Sequence, residues 1–196
     1  MAARARRPTF DSTAPPEVLV AGIGNVLMRD DALGPHVIRV LAAGWEAPSG
    51  VALRDLGTPG ADLVSHLRGA GALVLVDTVR ADGPPGKILR YDGERLARPA
   101  AGPRTAPHDP GLAETLSTLR LLGEAPAEVV LLGVIPDQVR SGLGLTPPLA
   151  RAVPFAAAAV RAELRRLERP LRRRAEPASP DLWWERAPDP VPAPAG

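Results

Sequence analysis

The spacing of apolar residues changes repeatedly along residues 17–169. Short apolar runs bounded by glycine or proline predict β-strands, whereas apolar residues three or four positions apart predict amphipathic helices. The predicted strands are residues 17–21, 51–56, 72–76, 87–91 and 127–135. The predicted helices are residues 32–45, 61–67, 110–122 and 147–169. Because strands and helices alternate, we expect a single three-layer α/β domain with a mostly parallel central sheet and helices on both faces.

Three of these segments predict further detail. The run ALVLV at 72–76 is apolar throughout, as is typical of a central parallel strand, whereas KILRY at 87–91 alternates and predicts an edge strand. Asp109 and Pro110 predict the N-cap and the first residue of the helix that follows them. Pro154 predicts a kink or a late start in the closing helix.

Residues 1–16 and 170–196 lack a regular apolar period and predict flexible tails around a domain at 17–169. The first tail is rich in Arg, Pro and Ala, and the second contains seven prolines. Such sequences bury too little apolar surface to offset the entropy of ordering. Trp183 and Trp184 are the exception, since two adjacent indoles either pack back on the domain or bind a partner.

The composition excludes several kinds of site. The chain has no cysteine, so disulfides, thiol catalysis and cysteine-bound metals are ruled out, and any metal must bind carboxylate or imidazole. The formal net charge is only +2, the basic residues concentrate near the two ends, and 3% of residues are aromatic. We therefore expect no nucleic-acid partner.

The apolar runs are also too short for a membrane segment. None approaches the roughly 20 residues that a spanning helix needs. The Arg6-Arg7 pair leads into Pro-Thr-Phe-Asp rather than into an apolar stretch, which argues against an export signal. We therefore expect no membrane span and a cytoplasmic location.

Candidate chemistry lies at the predicted carboxyl ends of the strands, where open parallel sheets bind their ligands. The segment GIGNVLMRDDALG at 22–34 follows the first strand, Asp77 follows the third, and His108 precedes a helix. Asp31, Asp77 and His108 provide two carboxylates and one imidazole. This set suits Zn, Ni, Mn or Fe if the fold brings the three together.

Each feature also has a simpler interpretation. Gly22 and Gly24 supply two of the three glycines of a dinucleotide-binding GxGxxG motif, but leucine occupies the third position and the nucleotide signal is weak. One of the adjacent carboxylates of Asp30 and Asp31 can cap the following helix while the other points elsewhere. His36 lies on a predicted helix and is interpreted as a surface or packing residue.

Five segments together resemble the nickel-iron hydrogenase maturation endopeptidases, in the right order between residues 18 and about 168. They are GIGNVLMRDDALG (22–34), DLGTPG (55–60), VDTV (76–79), PHDPGLAETL (107–116) and LLGVIPDQV (131–139). The resemblance implies an α/β domain with a largely parallel sheet. It also implies an enzyme that removes a C-terminal extension from the hydrogenase large-subunit precursor after nickel insertion.

The resemblance implies a metal-binding and catalytic site formed by Asp31, Asp77 and His108. In the favoured hypothesis, these residues sense nickel already held in the precursor, because carboxylate and imidazole can share a metal whose other ligands are the substrate's thiolates. In the competing hypothesis, they bind another divalent metal that activates water. The chain has no HExxH motif and no credible serine or cysteine nucleophile, which disfavours other protease chemistries.

Further residues of the resembling segments are expected to contact the substrate. Asp55 matches an acidic position that we expect to shape substrate recognition or cleavage. Gly22, Gly24 and Asn25 are expected to hold the backbone close to the incoming chain and to offer amide hydrogen bonds. Two other functions stay open at this point, namely a non-catalytic metal-dependent hydrogenase assembly factor and a nucleotide-dependent enzyme.

Overall fold

The computed structural model describes residues 14–96, 104–105 and 111–186. Its strands are β1 (Val18–Ile23), β2 (Trp45–Glu46), β3 (Val51–Gly57), β4 (Ala72–Arg80), β5 (Ile88–Asp92), β6 (Arg104–Thr105), β7 (Glu128–Val134) and β8 (Arg172–Arg173). Its helices are α1 (Leu33–Gly44), α2 (Leu63–Leu67), α3 (Gly93–Leu96), α4 (Gly111–Leu121) and α5 (Pro147–Arg166). Single 3-10 turns occur at Arg29–Ala32, Gly60–Asp62 and Trp183–Glu185.

The central sheet has the strand order β3-β1-β4-β7-β5. The first four strands run parallel, and β5 pairs antiparallel with β7 at the edge. The apolar run at 72–76 forms part of the central strand β4, and the alternating KILRY segment lies in the edge strand, as predicted. The predicted α/β class with a mostly parallel sheet is therefore confirmed.

Helices cover both faces of this sheet and create two apolar cores. On one face, α1 and α5 pack against alternate residues of β1, β4 and β7, and the fully buried side chains include Leu33, Leu41 and Leu149. On the other face, α2 and α4 contribute Leu67 and Leu116. This arrangement places the N-terminal end of α1 at the carboxyl end of β1, where ligands of such sheets bind.

Helix α5 begins where it is predicted to begin but ends three residues earlier. It begins at Pro147 and runs through Pro154 to Arg166, so the late start suggested by the internal proline is wrong. Among the described residues, no helix combines the length and hydrophobicity that crossing a membrane requires.

A buried carboxylate joins α5 to the edge strand. Glu163 accepts hydrogen bonds from Arg90 Nε at 2.7 Å and from Arg166 Nε at 2.8 Å. Burial alone would raise the pKa of Glu163, but the hydrogen bonds and charges of the two arginines outweigh it, and the pKa lies below its ordinary value. These hydrogen bonds fix the C-terminal end of α5, which is the end opposite to the candidate site.

Strand β4 is longer than predicted, which changes the position of Asp77. The strand continues past Val76 to Arg80, because it pairs with β7 as far as Thr78 and then with the short antiparallel strand β6. Asp77 therefore lies inside the strand, opposite Gly133 of β7, rather than after its end. Its side chain is nevertheless buried near the carboxyl edge of the sheet.

The predicted tail at 170–196 is described as far as residue 186. This described part, residues 170–186, is named the C-terminal segment, and it packs on the domain instead of forming a flexible tail. Its strand β8 pairs with β2, which the sequence pattern did not predict, and Trp184 is 4% exposed. Of the two alternatives for the tryptophan pair, Trp184 therefore packs back on the domain, while Trp183 stays 56% exposed. The predicted N-terminal tail at 1–16 lies almost entirely outside the described residues.

Gly34 in the first turn of α1 allows the helix to touch the sheet. A Cβ atom added there would lie 2.2 Å from the carbonyl oxygen of Ile23 and 2.6 Å from that of Val76. We expect Gly34→Ala to lower the free energy of unfolding by about 3 kcal/mol, because backbone atoms cannot yield as a flexible side chain would. Urea denaturation would measure the change.

Gly44 provides the matched control at the other end of the same helix. A Cβ atom there meets no atom within 4 Å, so Gly44→Ala should stabilise the protein by about 0.5 kcal/mol. Similar destabilisation by both substitutions would contradict the close helix-to-sheet contact and would point to a general sensitivity of α1.

Candidate active site at the carboxyl edge of the sheet

The site is built around the turn that connects β1 with α1. Gly24 has φ +140°, and a Cβ atom at this position would lie 1.8 Å from the carbonyl oxygen of Asp31. Only glycine permits both this backbone conformation and this approach. The chain therefore folds back on itself and carries Asp30 and Asp31 into the interior, where they are 0% and 1% exposed.

Thr78 links the two candidate carboxylates of the site. Its hydroxyl donates to Asp31 Oδ1 at 3.0 Å, and its backbone N–H donates to Asp77 Oδ1 at 2.7 Å. The second oxygen of Asp31 accepts the N–H of Asn25 at 2.8 Å. Thr78 thus orients one oxygen of Asp31 and one oxygen of Asp77 through hydrogen bonds. That the two carboxylates share one ligand stays a prediction.

Asp30 has a different role from its neighbour. It accepts the backbone N–H groups of Asp137, Gln138 and Thr146 and the hydroxyl of Thr146, at distances between 2.7 and 2.9 Å. No side-chain hydrogen bond caps α1, so the prediction that one of the two aspartates caps this helix is wrong. Asp30 instead holds the loop 137–146 and the N-cap residue of α5, Thr146.

Asp55 lies on β3, beside Gly22 of β1 in the sheet register. Its Oδ2 atom accepts Arg39 Nε at 3.3 Å and Nη2 at 3.1 Å, and its Oδ1 atom accepts the N–H of Gly57 at 3.2 Å. The carbonyl oxygen of Gly57 in turn accepts the N–H of Gly24 at 2.8 Å. Asp55 is therefore connected to the turn that carries Asp31, although among the described residues its side chain bonds to Arg39 and Gly57 and not to the two buried carboxylates.

The backbone amides of Gly24 and Asn25 are used inside the protein. The first donates to Gly57 and the second to Asp31, so neither amide is available in the way expected for an incoming chain. A Cβ atom on Gly22 would lie 2.4 Å from the carbonyl oxygen of Gly34, which gives this glycine a packing role. Amides engaged in this way also cannot cradle a phosphate, which argues against nucleotide binding.

His108 and the predicted cap pair Asp109 and Pro110 lie outside the described residues. Within the described ranges, no group of three or more His, Asp or Glu side chains forms a cluster suited to a metal ion. The described part of the predicted ligand set is thus the pair Asp31 and Asp77, and the described part of helix α4 is Gly111–Leu121.

Several residues that organise the site were not found from the sequence. Thr78 follows Asp77 directly, and a hydroxyl next to a buried carboxylate was the available signal for its linking role. Arg39 and Asp55 are 16 positions apart and on different elements, so their ion pair left no local signal. His36 is buried, which supports the packing alternative and excludes the surface one.

Comparisons with known proteins agree with this architecture. A family profile, HycI hydrogenase maturation protease, matches residues 35–163. The hydrogenase 2 maturation protease of Escherichia coli K12 is 33% identical over 149 residues, which are 76% of this chain and 90% of that protein. The solved structure of the hydrogenase maturating endopeptidase HybD from E. coli matches with a TM-score of 0.73 and 31% identity, over 81% of this chain and 98% of the other.

An archaeal structure gives the same result at lower identity. The [NiFe] hydrogenase maturation protease HybD from Thermococcus kodakarensis matches with a TM-score of 0.60 and 27% identity, over 75% of this chain and 98% of the other. The resemblance seen in the sequence motifs is thereby confirmed for most of the chain. The chain belongs to the hydrogenase maturation protease family, and it is an endopeptidase.

Proposed function

We propose that this endopeptidase removes the C-terminal extension of a nickel-iron hydrogenase large-subunit precursor and that it acts after nickel insertion. In this reaction one water molecule is consumed, one peptide bond breaks, and the precursor gains a new C-terminal carboxylate while the extension leaves with a free amine. Nickel belongs to the substrate in this proposal, and the protease recognises it rather than storing it.

Asp31, Asp77 and His108 are the residues that bind this nickel. Two carboxylates and an imidazole suit a divalent ion that also keeps thiolate ligands from the precursor. Asp31 fits the role because each of its oxygens accepts one hydrogen bond and each oxygen of a carboxylate can accept a further ligand. Bound nickel would supply the signal that the precursor is loaded and would position the peptide bond to be cleaved.

The observation that carries the proposal is the link through Thr78. Two carboxylates that are both at least 95% buried cost free energy unless they are paired, hydrogen-bonded or bound to a cation. The hydroxyl and N–H of Thr78 orient both of them at the carboxyl edge of a parallel sheet, where ligands bind. A cation carried by the substrate would offset the cost of burying their charges.

Asp55 is proposed to contact the precursor chain next to the nickel. Its side chain is 16% exposed, and the arginine that pairs with it is 32% exposed. The pair Asp55–Arg39 presents a carboxylate and a guanidinium to a polypeptide, and both can hydrogen-bond its backbone.

The test is the intact mass of the large-subunit precursor after incubation with this protein. We expect loss of a C-terminal peptide from the nickel-loaded precursor and no loss from the nickel-free precursor. We also expect His108→Ala to abolish the mass loss, because the imidazole is one of three proposed ligands. Asp92→Asn is the control, since Asp92 is exposed on edge strand β5 and, among the described residues, its side chain accepts the local N–H of Arg95.

Three outcomes would contradict the proposal in different ways. Cleavage of nickel-free precursor would refute nickel recognition. Cleavage of that precursor only after addition of zinc would favour a metal that activates water in the protease itself. A stable complex with nickel-loaded precursor and no mass loss would refute the proposed substrate processing and favour an assembly role.

A further inference from the structure

The C-terminal segment lies along helix α1 from its last turn to its first turns. The N–H of Arg174 donates to the carbonyl oxygen of Gly44 at 3.0 Å, and that of Ala178 donates to Ala43 at 3.0 Å. These bonds satisfy carbonyl groups that a helix end leaves without partners. The 3-10 turn Trp183–Glu185 then reaches the first half of α1, and the whole segment lies beyond residue 163, where the family profile ends.

One ring contact and one polar side-chain contact attach this turn to α1. The Trp184 and His36 rings meet edge to face with centroids 5.2 Å apart. His36 Nδ1 donates to the carbonyl oxygen of Ala32 at 2.8 Å, and its Nε2 lies 2.9 Å from Glu185 Oε1. His36 therefore connects the C-terminal segment to the last residue of the turn that carries Asp31.

Arg39 lies one helical turn after His36 and joins the same contact. Its guanidinium carbon is 5.9 Å from the centroid of the Trp184 ring, within the range of a cation–π interaction. The same guanidinium donates two hydrogen bonds to Asp55 Oδ2. Trp184 thus packs on the arginine that holds Asp55.

The contact path continues from Asp55 to the buried carboxylates. Asp55 Oδ1 accepts the N–H of Gly57, Gly57 accepts the N–H of Gly24, and the neighbouring Asn25 donates to Asp31. The three hydrogen bonds are between 2.8 and 3.2 Å long, and the peptide bond between Gly24 and Asn25 joins the second to the third. A side chain near the C-terminus is therefore linked to the candidate active site through one continuous set of contacts.

We propose that Trp184 is a positioning residue for substrate recognition, because it holds Arg39 in the orientation that fixes Asp55 and the backbone at Gly57. This inference rests on the proposed role of Asp55 in contacting the precursor. The C-terminal segment, which the sequence pattern presents as a tail, then completes the substrate-binding edge of the domain. Trp184 itself contacts no substrate and acts through Arg39.

Backbone amide hydrogen exchange tests the contact path without any substrate. In Trp184→Ala, we expect exchange to accelerate about tenfold at the amides of Gly24 and Gly57, because the bonds that protect them open more often. Exchange in the central strand β7 should stay unchanged. Uniform acceleration throughout the protein, or unchanged exchange at both glycines, would overturn the inference.

Precursor cleavage tests the consequence for recognition. We expect Trp184→Ala to raise KM about tenfold and to change kcat less than about twofold, because a misplaced Asp55 weakens binding of the chain. Trp184→Phe should restore most of the loss, since Trp184 Nε1 has no hydrogen-bond partner among the described residues and a phenyl ring keeps the packing. A loss confined to kcat, or a Phe variant as impaired as Ala, would contradict the positioning role.

Tyr91→Ala is the matched control for lost stability. Tyr91 lies on edge strand β5, in the apolar core on the other face of the sheet, and also packs on an arginine, with Arg95 5.0 Å from its ring centroid. We expect this variant to lower the melting temperature while leaving KM and the exchange of Gly57 unchanged. If wild-type protein cleaves no precursor, the proposed function fails, whereas the exchange experiment still decides whether Trp184 controls the loop at Gly57.

Discussion

Asp77→Asn is expected to reduce cleavage of nickel-loaded precursor by at least about a hundredfold while the protein stays folded. Asparagine has nearly the same shape, and its amide oxygen can still accept the N–H of Thr78 that Asp77 Oδ1 accepts at 2.7 Å. The substitution removes the negative charge and one metal-binding oxygen. The expected loss is therefore chemical rather than structural.

The rate is measured by intact mass at fixed times, beside the melting temperature and the far-ultraviolet circular dichroism of each variant. Asp92→Asn makes the same chemical change at an exposed position of β5 and should keep the wild-type rate. An Asp77→Asn variant that retains half of the wild-type rate would exclude Asp77 from the site. Rate loss accompanied by unfolding would instead assign the carboxylate a structural role.

The nickel dependence gives this experiment a second readout. If Asp77 binds nickel in the precursor, the variant should also bind loaded precursor more weakly, while both forms bind nickel-free precursor equally. The affinities of the variant and of the wild type are measured for both the nickel-loaded and the nickel-free precursor. A precursor truncated after the cleavage site prevents cleavage during the measurement. Equal affinity of the variant and wild type for loaded precursor would separate Asp77 from metal recognition.

The sheet and its helices could be predicted because their signals are local. Apolar runs such as 72–76 and 131–135 have no alternative to burial in a central strand, and the spacing of Leu33, Val37 and Leu41 defines one face of α1. The errors concern strands whose pairing partners lie far away in the sequence. Strand β4 continues past Val76 because residues of β7 and β6 pair with it.

The candidate site was predictable in its residue types but not in its connections. In the sequence, Asp31 and Asp77 follow predicted strands whose carboxyl ends share one edge, and this pattern predicts that they lie close together. The partners of Asp30 are more than 100 positions away, and the contact of Trp184 with His36 spans nearly the whole domain. No local period reports such pairs, so adjacent aspartates with different roles looked alike in the sequence.

The packing of the C-terminal segment could not be predicted from local sequence either, because the free energy that orders it comes from other parts of the chain. Its composition predicts too little apolar surface to order a chain by itself. The segment is ordered by partners that the domain already provides: carbonyl groups at the end of α1, the edge of β2, and a ring contact with His36. A tail with few apolar residues can therefore pack when a preformed helix offers matching polar groups.

Asp30→Ala is expected to lower the free energy of unfolding by about 4 kcal/mol, a large share of the stability of a domain of this size. Asp30 is 0% exposed, and its removal leaves the N–H groups of Asp137, Gln138 and Thr146 without their acceptor. The Thr146 donors are buried, whereas the N–H groups of Asp137 and Gln138 are only partly buried. A buried donor left unpaired costs about 1 to 3 kcal/mol, a partly buried one costs less, and removing the desolvated charge recovers part of the sum.

Urea denaturation at equilibrium measures the loss, and two further variants divide it. Asp30→Asn keeps one accepting oxygen and should cost about half as much as alanine. Thr146→Val removes only the hydroxyl donor, which lies 2.9 Å from Asp30 Oδ2, and should cost about 1 kcal/mol. In combination with Asp30→Ala, Thr146→Val should add little, because the two substitutions remove the same bond.

Asp62→Ala is the matched control, because Asp62 is an aspartate at the end of another 3-10 turn and its side chain caps nothing. We expect this variant to stay within about 0.5 kcal/mol of the wild type. A similarly small loss for Asp30→Ala would mean that water replaces the carboxylate in the loop 137–146. A large loss for Asp30→Ala would instead establish that Asp30 anchors the start of α5. Asp31 would then have no part in that anchoring, and its side chain would stay oriented toward β4.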